Sequence, residues 1–90
     1  MPTLELPASL RGLAGNRAKL TVDGRTVGEA LEAAIGQAPG LREAMFTEAG
    51  ALKRTVTLFV GEDDLRELQG LQTSIPSKAV LTLVTALAGG

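Results

Sequence analysis

The side chains that most often do covalent or acid–base chemistry near neutral pH are missing from this chain of 90 residues: it has no cysteine and no histidine. Thiolate metal sites, disulfides and the usual general base are therefore excluded together. Its only sulfur atoms are the thioethers of Met1 and Met45, which are not nucleophiles. Glu62, Asp63 and Asp64 form a run of carboxylates, the kind of oxygen donor a hard cation takes. The run lacks the further ligands of a calcium loop, and such runs are more often solvated turns. Gly12-Leu13-Ala14-Gly15 has neither the spacing nor the Lys-Ser/Thr of a phosphate-binding loop. No nucleophile–base pair is present, so an enzyme in its own right is not indicated.

What remains is Gly89-Gly90 at the end of the sequence. At an average glycine usage of about 7%, two terminal glycines arise by chance in about one chain in two hundred. The weight of the signal comes from its place just after a strand. About six extended residues reach roughly 20 Å, and glycine, lacking a Cβ, gives the thinnest backbone. Such a tail can thread into a partner's cleft and present its carboxylate to ATP. The carboxylate is unreactive; adenylation turns it into a mixed anhydride that a sulfur nucleophile attacks. In this reading Gly90 is modified, Gly89 gives clearance, and Leu87 and Ala88 guide the tail.

The elements that must carry this tail follow from hydrophobic period. Leu4 and Leu6 alternate with polar neighbours and read as a short strand ended by Pro7; Gly12 and Gly15-Asn16 mark a turn region. Ala18, Leu20 and Val22 predict a second strand with these three side chains on one face, closed by Asp23-Gly24. Thr26, three residues before Glu29, matches a capping box. Val27, Ala30, Leu31, Ala34 and Ile35 then form one apolar helical stripe, stopped by Gly36 and Pro39-Gly40. Leu41 and Met45 suggest a brief helical turn. Thr55–Val60 is rich in β-branched and aromatic residues and predicts a central strand. The Gly61–Asp64 segment reads as a turn, Leu65–Leu71 as irregular, and Val80–Val84 as the last strand with Leu81 and Leu83 inward. One helix for several strands predicts an α+β fold, a mixed sheet of four to five strands with the helix on one face. The chain reads as a single domain over 1–90 with a flexible C-terminal tail at 85–90.

Nine Lys/Arg oppose ten Asp/Glu, for a net charge of −1, and the cations are spread along the sequence rather than clustered. The only aromatics are Phe46 and Phe59. A nucleic-acid partner is not expected from such a pattern. The longest apolar stretch, Ala79–Ala88, is about half a membrane span, and the first residues lack the regions of a secretory signal. The expectation is a cytoplasmic protein with no membrane partner, monomeric outside transient complexes.

Several segments, taken in order, resemble the MoaD/ThiS sulfur-carrier family, which is structurally related to ubiquitin. They are Pro7–Arg11 with Gly12–Gly15, Thr26–Leu31, Pro39–Glu43, Val56–Val60 with Glu62–Arg66, and Leu87–Gly90. The resemblance spans nearly the whole chain. It implies a β-grasp fold and a carrier that is a protein co-substrate with no bound cofactor. An E1-like adenylating enzyme of the MoeB/ThiF type would use ATP on Gly90, and a sulfurtransferase or other sulfur donor would convert it to a thiocarboxylate. An acceptor synthase would then take the sulfur into molybdopterin, cysteine, thiamin or a specialised metabolite. The chain departs from the family pattern at Thr85, where a proline is common, at Ser77-Lys78-Ala79, where an acidic-glycine turn is common, and at Gly61 in place of asparagine. These positions bear on which activating enzyme fits.

The same adenylate also serves a ubiquitin-like modifier joined through Gly90 to lysines, and an interaction module with an idle tail shares the fold. For a partner-binding patch on the sheet, Phe59 and Val84 are the candidates, although residues of these types are more often core.

Overall fold

The computed structural model describes residues 1–85. Five strands form one mixed sheet: β1 (Thr3–Glu5), β2 (Lys19–Thr21), β3 (Val56–Val60), β4 (Asp63–Asp64) and β5 (Val80–Thr85). Their order across the sheet is β2-β1-β5-β3-β4. β1 and β5 run parallel, and every other neighbouring pair is antiparallel. β5 is the middle strand, with Leu4 opposite Leu81 on one side and Leu58 opposite Leu83 on the other.

One face of this sheet is covered by α2 (Val27–Gln37), whose five-residue apolar stripe is buried as its spacing predicts. Thr26 caps the helix, its hydroxyl accepting from the Glu29 N–H at 3.2 Å. Glu29 reaches back to the N–H of Arg25, at 2.8 Å, one residue before the cap. The expected box thus closes with its return bond shifted by one position. Gly36 does not end the helix, which runs on to Gln37. Leu41 and Met45 of α3 (Leu41–Met45) add to a core that also holds Leu4, Leu20, Leu31, Leu58, Leu81 and Leu83. A mixed sheet grasping one main helix in this way is a β-grasp fold, of the α+β class.

Gly24 has a steric role. A Cβ built there would lie 2.6 Å from the Ala30 nitrogen and 2.9 Å from the Glu29 carbonyl carbon. The strand-to-helix connection passes against the backbone of the helix, and no side chain fits between them.

Four elements differ from the sequence reading. Ala8–Arg11 forms a short helix, α1, followed by a 3-10 turn at Gly12–Ala14, where only a turn was expected. Ala18 is exposed, because β2 begins one residue later and only Leu20 and Val22 face the core. The acidic turn is a tight hairpin: Gly61 takes φ 62°, and Asp63 and Asp64 pair with Val60 and Phe59 as β4. Leu65–Glu67 and Gly70–Gln72 are 3-10 turns. Among the described residues, no helix is long and apolar enough to cross a membrane.

Candidate functional site

Because β5 is hydrogen-bonded on both sides, its alternation is strict. Leu81 and Leu83 point into the core, and Val80, Thr82 and Val84 point to the opposite, uncovered face. Val80 is 41% exposed and Val84 43% exposed. On β3, Val56 and Leu58 face inward, leaving Thr57 and Phe59 on the outer face. Register sets Phe59 beside Thr82 and Thr57 beside Val84. Phe59 is half-buried there, flanked on its other side by Asp64. Phe59 and Val84 are thus not core residues: both lie on the outer face, within one patch. The patch also includes Val80 and Thr82, which the sequence reading did not single out. Their signal was the alternation itself, since inward Leu81 and Leu83 require outward Val80, Thr82 and Val84.

The patch leads down β5 to Thr85, the last described residue. Thr85 is still strand, paired with Val56, although the sequence reading began the tail there. Its hydroxyl lies 3.0 Å from that of Ser9 in α1, tying the end of the strand to the first helix. Arg11 is also held locally, its Nε donating to the Leu6 carbonyl at 3.2 Å. Glu5 accepts from the Thr82 hydroxyl at 3.3 Å and pairs with Lys19 at 3.7 Å.

Two open grooves flank this end of β5. One, of about 500 Å³, is lined by Glu5, Pro7, Arg11, Lys19, Val84 and Thr85 among others. The other, of about 410 Å³, lies along the start of β3 and includes Lys53, Arg54, Thr57 and Arg66. A third, of about 520 Å³, sits on the helix side between Gly28, Arg42, Phe46 and Leu71.

The acidic run is divided by the hairpin. Asp64 caps the 3-10 turn that follows it, accepting from the Arg66 N–H at 2.8 Å, and pairs with the Arg66 guanidinium at 2.9 Å. Hydrogen bonds from the Arg66 side chain, and then from its backbone N–H, hold the Asp64 carboxyl below the ordinary carboxylate range and raise Arg66 in turn. Among the described residues, no three His, Cys, Asp or Glu side chains gather as metal ligands. Gly90, Gly89, Ala88 and Leu87, the residues assigned to the tail chemistry, lie outside the described residues.

No protein-family model matches the chain. The sulfur carrier protein CysO of Mycobacterium tuberculosis H37Rv is 29% identical to it over 90 residues, an alignment covering 98% of this chain and 97% of that one. The crystal structure of the Amycolatopsis orientalis BexX/CysO complex contains a chain that superposes with a TM-score of 0.92 at 27% identity, covering the whole of both chains. SAMP1 from Haloferax volcanii superposes with a TM-score of 0.80 at 28% identity, over 99% of this chain and 98% of that one. With the β-grasp sheet, the single capped main helix and likeness along its length to named carriers, the chain resembles the ubiquitin-like sulfur carriers of the MoaD/ThiS type.

Proposed function

We propose that this protein carries sulfur as a thiocarboxylate on Gly90. The observation that carries the reading is the end-to-end likeness to chains named sulfur carriers, in alignments that span at least 97% of those chains. The fold is consistent with this reading: β5 exposes Val80, Thr82 and Val84 on its outer face and is the last element before the diglycine in the sequence. A partner that gripped this face would hold the strand that precedes the end it must activate.

The chemistry is that of carboxylate activation. The Gly90 carboxylate attacks the α-phosphorus of ATP in an E1-like enzyme of the MoeB/ThiF type, releasing pyrophosphate and forming an acyl-adenylate. Hydrosulfide, delivered by a sulfurtransferase or another donor, attacks the acyl carbon and expels AMP. The thiocarboxylate left behind donates its sulfur at an acceptor synthase. The likeness to CysO supports cysteine biosynthesis as the pathway to test first. The chain is a co-substrate in these steps, holds no cofactor of its own and works in the cytoplasm. With neither cysteine nor histidine in the chain, the thiocarboxylate is its one nucleophilic sulfur and has no internal thiol to oxidise against.

Incubation with such an enzyme, ATP and sulfide, followed by intact-mass measurement, tests this. The expected result is a gain equal to one oxygen-to-sulfur exchange, localised to a C-terminal peptide ending at Gly90. An unchanged mass with several enzymes of this type overturns the proposal. Gly90→Ala is expected to keep the far-UV circular dichroism of the parent and lose the mass gain.

A second reading is supported by the likeness to SAMP1, whose Haloferax volcanii structure is described as a small archaeal modifier protein. The same adenylate can be captured by a lysine amine, giving an amide conjugate. Higher-mass species in cell extracts that disappear when Gly90 is deleted would establish that role.

A further inference from the structure

The nine cationic side chains lie at positions 11, 17, 19, 25, 42, 53, 54, 66 and 78, with no cluster beyond one adjacent pair. The fold sorts them. β1 and β5 run parallel while β2 and β3 oppose them, so Lys19, Thr85 and Val56 all stand at one end of the sheet. The connections at that end carry Arg11 and Arg17 between β1 and β2, and Lys53 and Arg54 just before β3. Arg17 is fixed there by its Nε, which donates to the Ala14 carbonyl at 2.9 Å. Lys53 is anchored by its backbone N–H on the Met45 carbonyl at 2.9 Å. Glu48 belongs to the turn of the Phe46–Leu52 bridge, whose Gly50 lines the helix-side groove with Gly28 and Glu29 of α2.

Around the root of β5 there are therefore five cations, Arg11, Arg17, Lys19, Lys53 and Arg54, and on the strands there the carboxylate Glu5 is already engaged by Lys19. Arg66, which shares a groove with Lys53 and Arg54, is neutralised by Asp64. Among the described residues, none of Arg11, Arg17, Lys53 and Arg54 has an acidic side chain within ion-pair distance.

We propose that this basic collar is an electrostatic docking surface for a protein whose tail-accepting cleft is rimmed by carboxylates. The inference rests on the reading that the segment after Thr85 enters a partner, because whatever accepts that segment must meet the collar around its root. Each exposed cation contributes little alone. Five of one sign at one end steer that end towards an acidic field and raise association rates about 10-fold or more. The distribution suits a compact acidic rim rather than a nucleic acid. Neither aromatic is in the collar, Phe46 being buried and Phe59 lying on the sheet.

Two double variants with equal change of charge test this: Lys53→Glu/Arg54→Glu in the collar and Arg25→Glu/Arg42→Glu outside it. Association with the adenylating enzyme is measured by surface-immobilised kinetics at about 50 and about 300 mM NaCl, a range over which screening changes severalfold. The collar variant is expected to associate about 10-fold more slowly at low salt and to lose the salt dependence of the parent, with unchanged circular dichroism. The control pair is expected to change the rate less than about 2-fold, and Lys53→Gln/Arg54→Gln to fall between. A chain lacking Gly89 and Gly90 is expected to keep the salt-dependent association. Equal slowing by both charge-matched pairs, or none by the collar pair, overturns the proposal. So does tighter capture of the parent by a single-stranded oligonucleotide than by the enzyme. A chain that binds through Lys53 and Arg54 but gains no sulfur refutes the thiocarboxylate chemistry and leaves the collar standing. A chain that gains sulfur equally fast with Lys53 and Arg54 reversed does the opposite.

Discussion

The two faces of β5 are built from nearly the same residue types and are put to different use. Leu81 and Leu83 are excluded from solvent beneath α2, whereas Val80 and Val84, one position away, stay more than two-fifths exposed. Hydropathy alone does not separate these sets. The difference is which side of the sheet the single main helix covers. An apolar row kept in water on a small domain costs solubility and adds little to stability, and under the proposed function it is the surface that meets a partner.

The largest effect expected from breaking this contrast is on the covered side. Leu81→Ala should lower the unfolding free energy by about 2–5 kcal/mol, because it removes buried methyl groups and leaves a cavity under the helix. Urea titration followed by circular dichroism measures it. Val84→Asp should move the urea midpoint little, with a change within about 0.5 kcal/mol, as is usual for exposed positions. It should slow charging of Gly90 by the adenylating enzyme about 10-fold, on the scale of losing one or more kcal/mol at an interface. If Val84→Asp unfolds the protein, or leaves charging untouched, the assignment of the two faces is wrong.

Next in size is the joint that holds the helix on that face. Gly24→Ala places a methyl against backbone atoms of Glu29 and Ala30 at distances that real side chains do not occupy. Since the obstacle is main chain, the connection or the helix must shift, at a cost of about 1–3 kcal/mol. Thr26→Ala removes the hydroxyl that satisfies the Glu29 N–H and should cost about 1 kcal/mol. The pair sharpens the comparison: both variants weaken the covered face from outside the core, while the outer row keeps its residues and its register.

Much of this was legible in the residues. The capping box and the five-residue stripe located α2 because a helix cap and a 3.6-residue period are local signals. The alternation in Val56–Val60 and Val80–Val84 located the central strands for the same reason. It also held the answer for Phe59 and Val84, since inward Leu58, Leu81 and Leu83 oblige their adjacent residues to face out. The sequence reading named those two as patch candidates while residue type alone favoured the core, and the period was the better guide. The short α1 was not legible: four residues give barely one turn, and Pro7 before Ala8 reads equally as the end of a strand. Nor was β4, where two aspartates carry no strand propensity and pair only because Gly61, at φ 62°, folds the chain back on β3. The collar was the least legible feature. Positions 11, 17, 19, 53 and 54 are brought together by a parallel pairing of the first and last strands, which no local pattern encodes.

The smallest effect concerns the edge of the outer face, where Asp64 and Arg66 meet beside Phe59. Asp64 is a carboxylate whose folded-state pKa is depressed, chiefly by hydrogen bonds from Arg66. Its contribution to stability is therefore complete above the ordinary unfolded carboxyl pKa of about 3.9 and is lost as pH falls through the lower folded value. Arg66, raised from an already high value, stays protonated throughout and adds no titration of its own. Asp64→Asn separates charge from capping, since asparagine caps a helical turn about as well as aspartate. The parent should be slightly more stable than this variant near neutral pH, by a margin independent of pH there and reduced by salt. That margin should close once the medium is acidic enough to protonate Asp64. A margin that persists in acid would mean that packing beside Phe59, and not the ion pair, fixes the edge of the patch.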